Sequence, residues 1–263
     1  MSERGRAGEW IMTASQARRF DALASERFGI PSMLLMEHAA IGTCAIAEAM
    51  CPGGAITLVA GPGNNGGDAL AMARLLRARV AARAGAKRGA GAKRGAGSIR
   101  VVALRDEFAR DAALQREMLR GFGVPVLAWE GASAARRTAI RGVLAKSDLI
   151  VDGLFGTGLD RPVRGAALQL VRAINAASAR GPLVLSLDVP SGLHGDRGVP
   201  KGWERAIVRA DATATFAALK PGLVHPRSRG YCGQVAMVPL HVPERLYELV
   251  GAQRAAGSTM AHA

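Results

Sequence analysis

Three short stretches of this chain place amide, carboxylate and hydroxyl oxygens beside glycine. They are GPGNNGGD (residues 61–68), DGLFGTGLDRPVRG (152–165) and DVPSGLHGD (188–196). Each follows an apolar run that reads as a strand, and two of them begin with an aspartate at the strand's end. Asparagine, aspartate and serine supply hard oxygen donors, suited to a hard cation rather than a soft metal. A carboxylate in a crevice can also give and take protons. Glycine lets backbone N–H groups come close to an anion such as a phosphate.

The first stretch formally contains G-x-G-x-x-G at Gly61, Gly63 and Gly66, the spacing of a dinucleotide-binding turn. Its details oppose that use. Pro62 removes a donor, and Asn64 and Asn65 put side chains where open backbone is wanted. Asp68 adds a negative charge in the first helical turn, where it would repel a pyrophosphate. About 20 residues on, where an acid should meet a ribose, stands a Lys/Arg repeat. Turn formation or helix capping would explain one asparagine, but two in tandem with Asp68 indicate a polar ligand site. Asp152 and Asp188 could each cap a following turn; their common position at strand ends favours convergence on one crevice. Ser191 stays open between a ligand and a local turn residue.

The elements that must position these groups alternate. Apolar runs begin at residues 55, 99, 124, 148, 183 and 212, with a possible edge strand at 233–240. Helical patterns cover 69–80, 111–122, 134–145 and 167–179. Continuous Val/Ile/Leu strands imply a parallel sheet covered on both faces. Strand–helix alternation therefore predicts a Rossmann-like three-layer αβα sandwich, with ligands beyond the carboxyl ends of the strands. Two further helices precede the sheet. Thr13 with Gln16 forms a capping box for the first, and Gly29 ends it; the second spans about 30–50. Lys220, before Pro-Gly, is divided between a phosphate contact and a turn anchor. His38, His194 and His225 have no metal or triad spacing, and no G-x-S-x-G elbow is present.

A chain of 263 residues with 49% hydrophobic and 21% charged residues is ordinary for a folded α/β protein. One domain is expected over 1–263, its core near 12–240. No run approaches the ~18 apolar residues of a membrane span, and the start carries no signal-peptide pattern. Cys44, Cys51 and Cys232 form no C-x-x-C pair, which fits a reducing cytoplasm. The net charge of +14 raises nucleic acid as a partner. Part of that charge sits in a twice-repeated GAKRGA within 81–98, read as a solvated basic insert on a surface loop. A nucleic-acid role is therefore not expected.

The stretches GPGNNGGDALAMARLL, LIVDGLFGTGL and VLSLDVPSGL, in this order, closely resemble the NAD(P)H-hydrate epimerases, whose fold is also called the YjeF N-terminal domain. GIPSMLLMEHAA and ATATFAALKPGL resemble other segments of that family, so the similarity runs from about residue 12 to 239. The length is that of stand-alone members; others are fused to a kinase-like dehydratase. Ala69, His38 and Ala40 depart from the family's usual residues.

The resemblance implies a substrate, NADH or NADPH hydrated at carbon 6 of the nicotinamide ring. It implies interconversion of the R and S hydrates, so that a separate S-specific dehydratase can restore the cofactor. It also implies a potassium ion with side-chain ligands Asn65, Asp152 and Ser191. Substrate contacts are implied for Asn64, Asn65, Gly66, Gly67 and Asp68, for Gly156, Thr157, Gly158, Leu159, Asp160, Arg161 and Pro162, and for Asp188. A homodimer through the N-terminal helices is implied as well. We expect Asp188 to carry the proton, and the pyrophosphate to meet the 156–165 loop with Arg161 or Arg164. The alternative is a non-catalytic binding protein of the same fold, as some animal members that bind an apolipoprotein. A scaffold, however, need not keep carboxylates at two strand ends.

Overall fold

The computed structural model describes residues 9–86 and 97–255. Seven strands form one parallel sheet: β2 (Ile56–Ala60), β3 (Ile99–Ala103), β4 (Val126–Ala128), β5 (Leu149–Gly153), β6 (Leu183–Leu187), β7 (Ala212–Phe216) and β8 (Gln234–Val238). Their order is β4-β3-β2-β5-β6-β7-β8. The chain builds outward from β2 to β4, returns to place β5 on the other side of β2, and builds outward again. β2 and β5 are thus the switch point of a doubly wound, Rossmann-like sheet, where a crevice must open at the carboxyl ends.

Alternate strand residues feed opposite faces. Leu58, Val101, Val151 and Leu185 meet helices α2 (Ser32–Met50), α3 (Asn64–Ala86) and α4 (Asp111–Arg120). Val59, Val102, Ile150 and Val184 meet α5 (Ala134–Ala145) and α6 (Gly165–Ser178). Both faces of the central strands are buried, which is why they read as unbroken apolar runs.

The N-terminal helix α1 (Ala14–Phe28) starts on the expected capping box, with Thr13 and Gln16 satisfying each other's backbone N–H. It ends on Gly29 in the left-handed conformation at φ 62°, where a side chain would be strained. Phe20 and Ala24 pack with Leu246, Tyr247 and Val250 around α9 (Glu244–Leu249). A short antiparallel ribbon of β1 (Trp10–Ile11) and β9 (Gln253–Arg254) holds the two ends of the described chain together.

Helix α2 is 19 residues long and apolar enough to cross a membrane by length and composition alone, a run longer than the sequence reading allowed. Its packing explains the composition: Met36, Ala40, Cys44 and Ala47 are buried against the sheet and α3. Among its departures from the family, His38 stays in place through its Nδ1, 2.7 Å from the Leu240 carbonyl oxygen.

Two boundaries differ from expectation. Helix α3 begins at Asn64, not at residue 69, so Asn64 to Asp68 form helical turns rather than a loop. Asp68 is consequently one turn in, and the first turn carries no acid. At its other end α3 continues to Ala86, so the first six residues of the supposed basic loop are helical. Most of the GAKRGA repeat, residues 87–96, lies outside the described residues.

Candidate active site

The crevice at the switch point is a cavity of about 460 Å³. Asn64, Asn65 and Asp68 enter it from α3, Gly156 to Gly158 from the loop after β5, and Asp188 from the end of β6. The N-terminal layer closes it with Phe20, Leu35 and Met36. One side is therefore polar, while the other adds an apolar wall to Arg18 and Asp21 at the mouth. Asp152 and Ser191 lie under the cavity floor, each wholly buried.

Close backbone packing fixes the start of α3. A Cβ on Gly66 would fall 1.8 Å from the Gly61 carbonyl oxygen, so only glycine lets the helix begin hard against the end of β2. This places Asn65, 8% exposed, between β5 and β6. Its amide Nδ2 donates to the Leu187 carbonyl oxygen at 3.2 Å. Its Oδ1 is one of three buried side-chain polar atoms without a partner among the described residues. A buried acceptor left unpaired costs free energy unless a ligand satisfies it.

Asp152 anchors the floor. Its Oδ1 accepts the Ser191 hydroxyl at 2.6 Å, and its Oδ2 accepts the Ser191 N–H and the Ser186 hydroxyl, both at 2.9 Å. The Ser191 oxygen in turn accepts the Phe155 N–H at 2.9 Å. Burial pushes the Asp152 carboxyl up, against the pull of those hydrogen bonds. Among the described residues no three His, Cys, Asp or Glu side chains stand close enough together to hold a metal ion between them. The oxygens of Asn65, Asp152 and Ser191 form a hard donor set, and the orphaned Asn65 Oδ1 is a place such a cation fits.

Asp188 holds the centre. Its φ of +64° is a left-handed conformation that costs a non-glycine residue about 1–3 kcal/mol. The backbone is pinned there by Asp188 N–H, which donates to the Ala214 carbonyl oxygen at 2.7 Å. The neighbouring strand repeats the device: Ala217, after β7, also lines the cavity with φ +60°. Asp188 Oδ1 lies 2.6 Å from Lys220 Nζ, and Oδ2 accepts the Thr157 N–H at 3.2 Å. Lys220 is 2% exposed and donates further to Thr215 Oγ1 at 3.0 Å and the Phe216 carbonyl oxygen at 2.8 Å. Its ammonium thus answers the question left by the sequence: it is the counter-ion of Asp188.

Two more carboxyls share the cavity. Asp68 is nine-tenths buried and has no hydrogen-bond or ion-pair partner among the described residues. Burial pushes its carboxyl well above the usual range, Asp188 and Asp21 add to this, and Lys220 opposes it. Asp21, from α1, lines the cavity mouth. Surrounding protein and Asp188 push its carboxyl to about 6, with Lys220 again opposing. The side chain still meets solvent at that mouth, where water moderates the effect. Sequence reasoning missed Asp21 because on α1 it reads as an ordinary solvent-facing charge beside Phe20.

Not every expected contact residue reaches the cavity. Gly66 and Gly67 shape the start of α3 without lining it, and Leu159, Asp160, Arg161 and Pro162 stand outside the lining. Leu159 packs on apolar neighbours instead. Arg18, from α1, is the cavity's other basic side chain besides Lys220.

Comparison with known proteins places this geometry. The family described as YjeF-related protein N-terminus matches residues 32–222. The chain belongs to this family. It is 34% identical over 236 residues to an NAD(P)H-hydrate epimerase of Rhodopirellula baltica, covering 89% of this chain and 86% of that protein. It is 36% identical over 228 residues to one of Limosilactobacillus fermentum, covering 86% and 95%. A bifunctional NAD(P)H-hydrate repair enzyme of Thermofilum pendens is 36% identical over 219 residues, covering 82% of this chain and 37% of that protein. The crystal structure of yeast ynu0 shares the fold, with a TM-score of 0.71 and 21% identity over 95% of this chain and 97% of that one. In this YjeF-type fold, the three glycine-flanked stretches meet at one crevice.

Proposed function

We propose that the chain is an NAD(P)H-hydrate epimerase, interconverting the R and S forms of hydrated NADH and NADPH. The observation that carries this reading is one cavity at the switch point in which Asn65, Asp68 and the Asp188–Lys220 pair converge above Asp152 and Ser191. The names of relatives that this chain matches over most of their length support it. A non-catalytic binding protein is the weaker reading, because strained backbone and buried carboxyls are costs that a scaffold need not bear.

The hydrated carbon is bonded to both ring nitrogen and hydroxyl. Its configuration is lost when one of those bonds breaks, and a group beside it must then move a proton. Asp188 fits that task, because its φ of +64° aims it from the strand end and Lys220 fixes its orientation. Asn64, Thr157 and Gly158 line the cavity and would hold the sugar and phosphate. The apolar wall of Phe20, Leu35 and Met36 suits the nicotinamide ring. A potassium ion, held by Asn65, Asp152 and Ser191, would supply a fixed positive field under the cavity floor.

The product logic couples the chain to a separate S-specific dehydratase. The test is a mixed hydrate pool with that dehydratase, with and without this protein. Faster consumption of the R form is expected; no acceleration with folded protein and potassium present overturns the proposal. In Asp188→Asn we expect the acceleration to fall by about 10²–10⁴-fold, the usual contribution of a positioned acid or base, with melting still cooperative. Unchanged turnover removes Asp188 from the role.

A further inference from the structure

Asp68 and Asp188 line the same cavity in opposite circumstances. Asp188 has a lysine at 2.6 Å and an N–H donor at 3.2 Å. Asp68, nine-tenths buried, has neither a cation nor a donor among the described residues. Cavity walls of different origin carry them, α3 for one and the end of β6 for the other. Carboxyls whose surroundings part them in this way mark an acid and a base.

Resting on the epimerase reading, we propose that the two work as an unlike pair, Asp68 delivering the proton to the departing hydroxyl and Asp188 accepting one from the water that adds back. Asp68 transfers its proton to the carbon 6 hydroxyl; the C–O bond breaks, its electron pair leaving with oxygen as water. The ring nitrogen's lone pair forms the double bond to carbon 6. Water then attacks the other face, the double-bond pair returns to nitrogen, and the attacking water's extra proton passes to Asp188. Substrate and product have the same composition, and one proton has moved from Asp68 to Asp188. Exchange with solvent at the cavity mouth resets the pair.

The other charged groups around Asp68 favour its role. Asp188 faces it from β6, Asp21 from α1 and Asp111 from α4, against Lys220 after β7 and Arg18 on α1. Lys220 is already committed to Asp188. Burial opposes a negative charge on Asp68 most, and Asp188 and Asp21 oppose it further. A ribose hydroxyl can donate to a carboxyl in either protonation state, so the split between kcat and KM separates a binding role from proton delivery.

The experiment compares wild type with Asp68→Asn, an isosteric change, in the coupled assay. Expected is a kcat loss of about 10²–10⁴-fold with KM changed by less than about threefold. In wild type kcat should fall on the alkaline side as Asp68 ionises. Turnover in heavy-oxygen water should label the carbon 6 hydroxyl in step with epimerisation. A readout independent of activity is the infrared stretch of a protonated carboxyl at neutral pH, a component of which should be present in wild type and lost in Asp68→Asn. A raised KM with unchanged kcat, retention of the original oxygen, or no protonated-carboxyl band each overturns the pair. An inactive wild type that still shows the band overturns the epimerase reading instead.

Discussion

Lys220→Met is the most informative single change to the fold of the site. Methionine keeps much of the stem's volume and removes the charge. Asp188 then loses a cation at 2.6 Å and keeps one N–H donor at 3.2 Å. Thr215 Oγ1 and the Phe216 carbonyl lose a donor as well. Deleting one partner of a buried ion pair costs about 3–5 kcal/mol, because the other charge is left uncompensated. The Asp188 side chain is 14% exposed, so cavity water recovers part of the loss and the lower end, about 3 kcal/mol, is expected. Urea unfolding at constant pH measures it as a shift in midpoint with unchanged slope. The control is Lys220→Met/Asp188→Asn, in which a neutral amide faces the methionine and no charge is stranded. The double variant should regain at least about 1.5 kcal/mol over the single one, a coupling expected of residues in contact. A single variant within about 0.5 kcal/mol of wild type, or strictly additive losses, would show that Lys220 does not stabilise the buried Asp188 charge.

Asp68→Asn should also change how stability depends on pH. The folded carboxyl is held above its ordinary value of 3.8, so its proton-linked stability is present below that value and is lost as pH rises through the folded one. The variant cannot ionise and should gain on wild type in urea as pH rises above the ordinary carboxyl value; a pH-independent difference excludes the raised carboxyl. Replacing Asn65 with Leu removes the orphaned Oδ1, so a rise in Tm with potassium chloride over choline chloride, expected in wild type, should vanish. A rise of equal size in both proteins refutes that cation site. Gly66→Ala forces a Cβ to within 1.8 Å of the Gly61 carbonyl oxygen and should cost at least about 1–3 kcal/mol in thermal melting. An unchanged Tm would contradict the close start of α3.

How much of this was readable before the structure depended on whether a signal was local. The strand runs, the Thr13 capping box and the Gly29 stop depend on neighbours a few residues apart, and each lies where the pattern put it. Asp152 and Asp188 were legible because strand ends in a doubly wound sheet face the ligand side. The start of α3 was not, since Asn-Asn-Gly-Gly has poor helix propensity and becomes helical only through packing against Gly61 and Gly153. Lys220 and Asp21 were undecided or missed for a related reason. Their meaning comes from Asp188, a partner remote in sequence, and no spacing rule connects α1, β6 and the turn after β7. The same limit applies to Arg161, which sits in the right segment and yet outside the cavity.

Several departures from good folding practice meet at the crevice, while the orphaned Trp129 Nε1 and Ser228 Oγ and the positive-φ Arg110 and His241 stand outside its lining. Most buried hydroxyls away from the crevice are satisfied: Thr57 meets Ser147 at 2.7 Å, and Thr213 donates to the Cys232 carbonyl oxygen at 2.7 Å. Around the crevice stand an orphaned amide oxygen, a carboxyl with no partner, an ion pair taken out of water, and two non-glycine residues at positive φ. Each is a cost whose relief would stabilise the fold, and such costs persist where function needs them. The strains also have a common direction. The left-handed turns at Asp188 and Ala217 follow adjacent strands, and both turn the chain toward the cavity that Asn65 and Asp68 enter from the other side of the switch point. A sheet alone would supply the crevice, as every doubly wound sheet does. What distinguishes this one is that its unsatisfied groups are all acceptors or acids, so the missing partner must bring positive charge, hydroxyl donors, or a group that can take a proton.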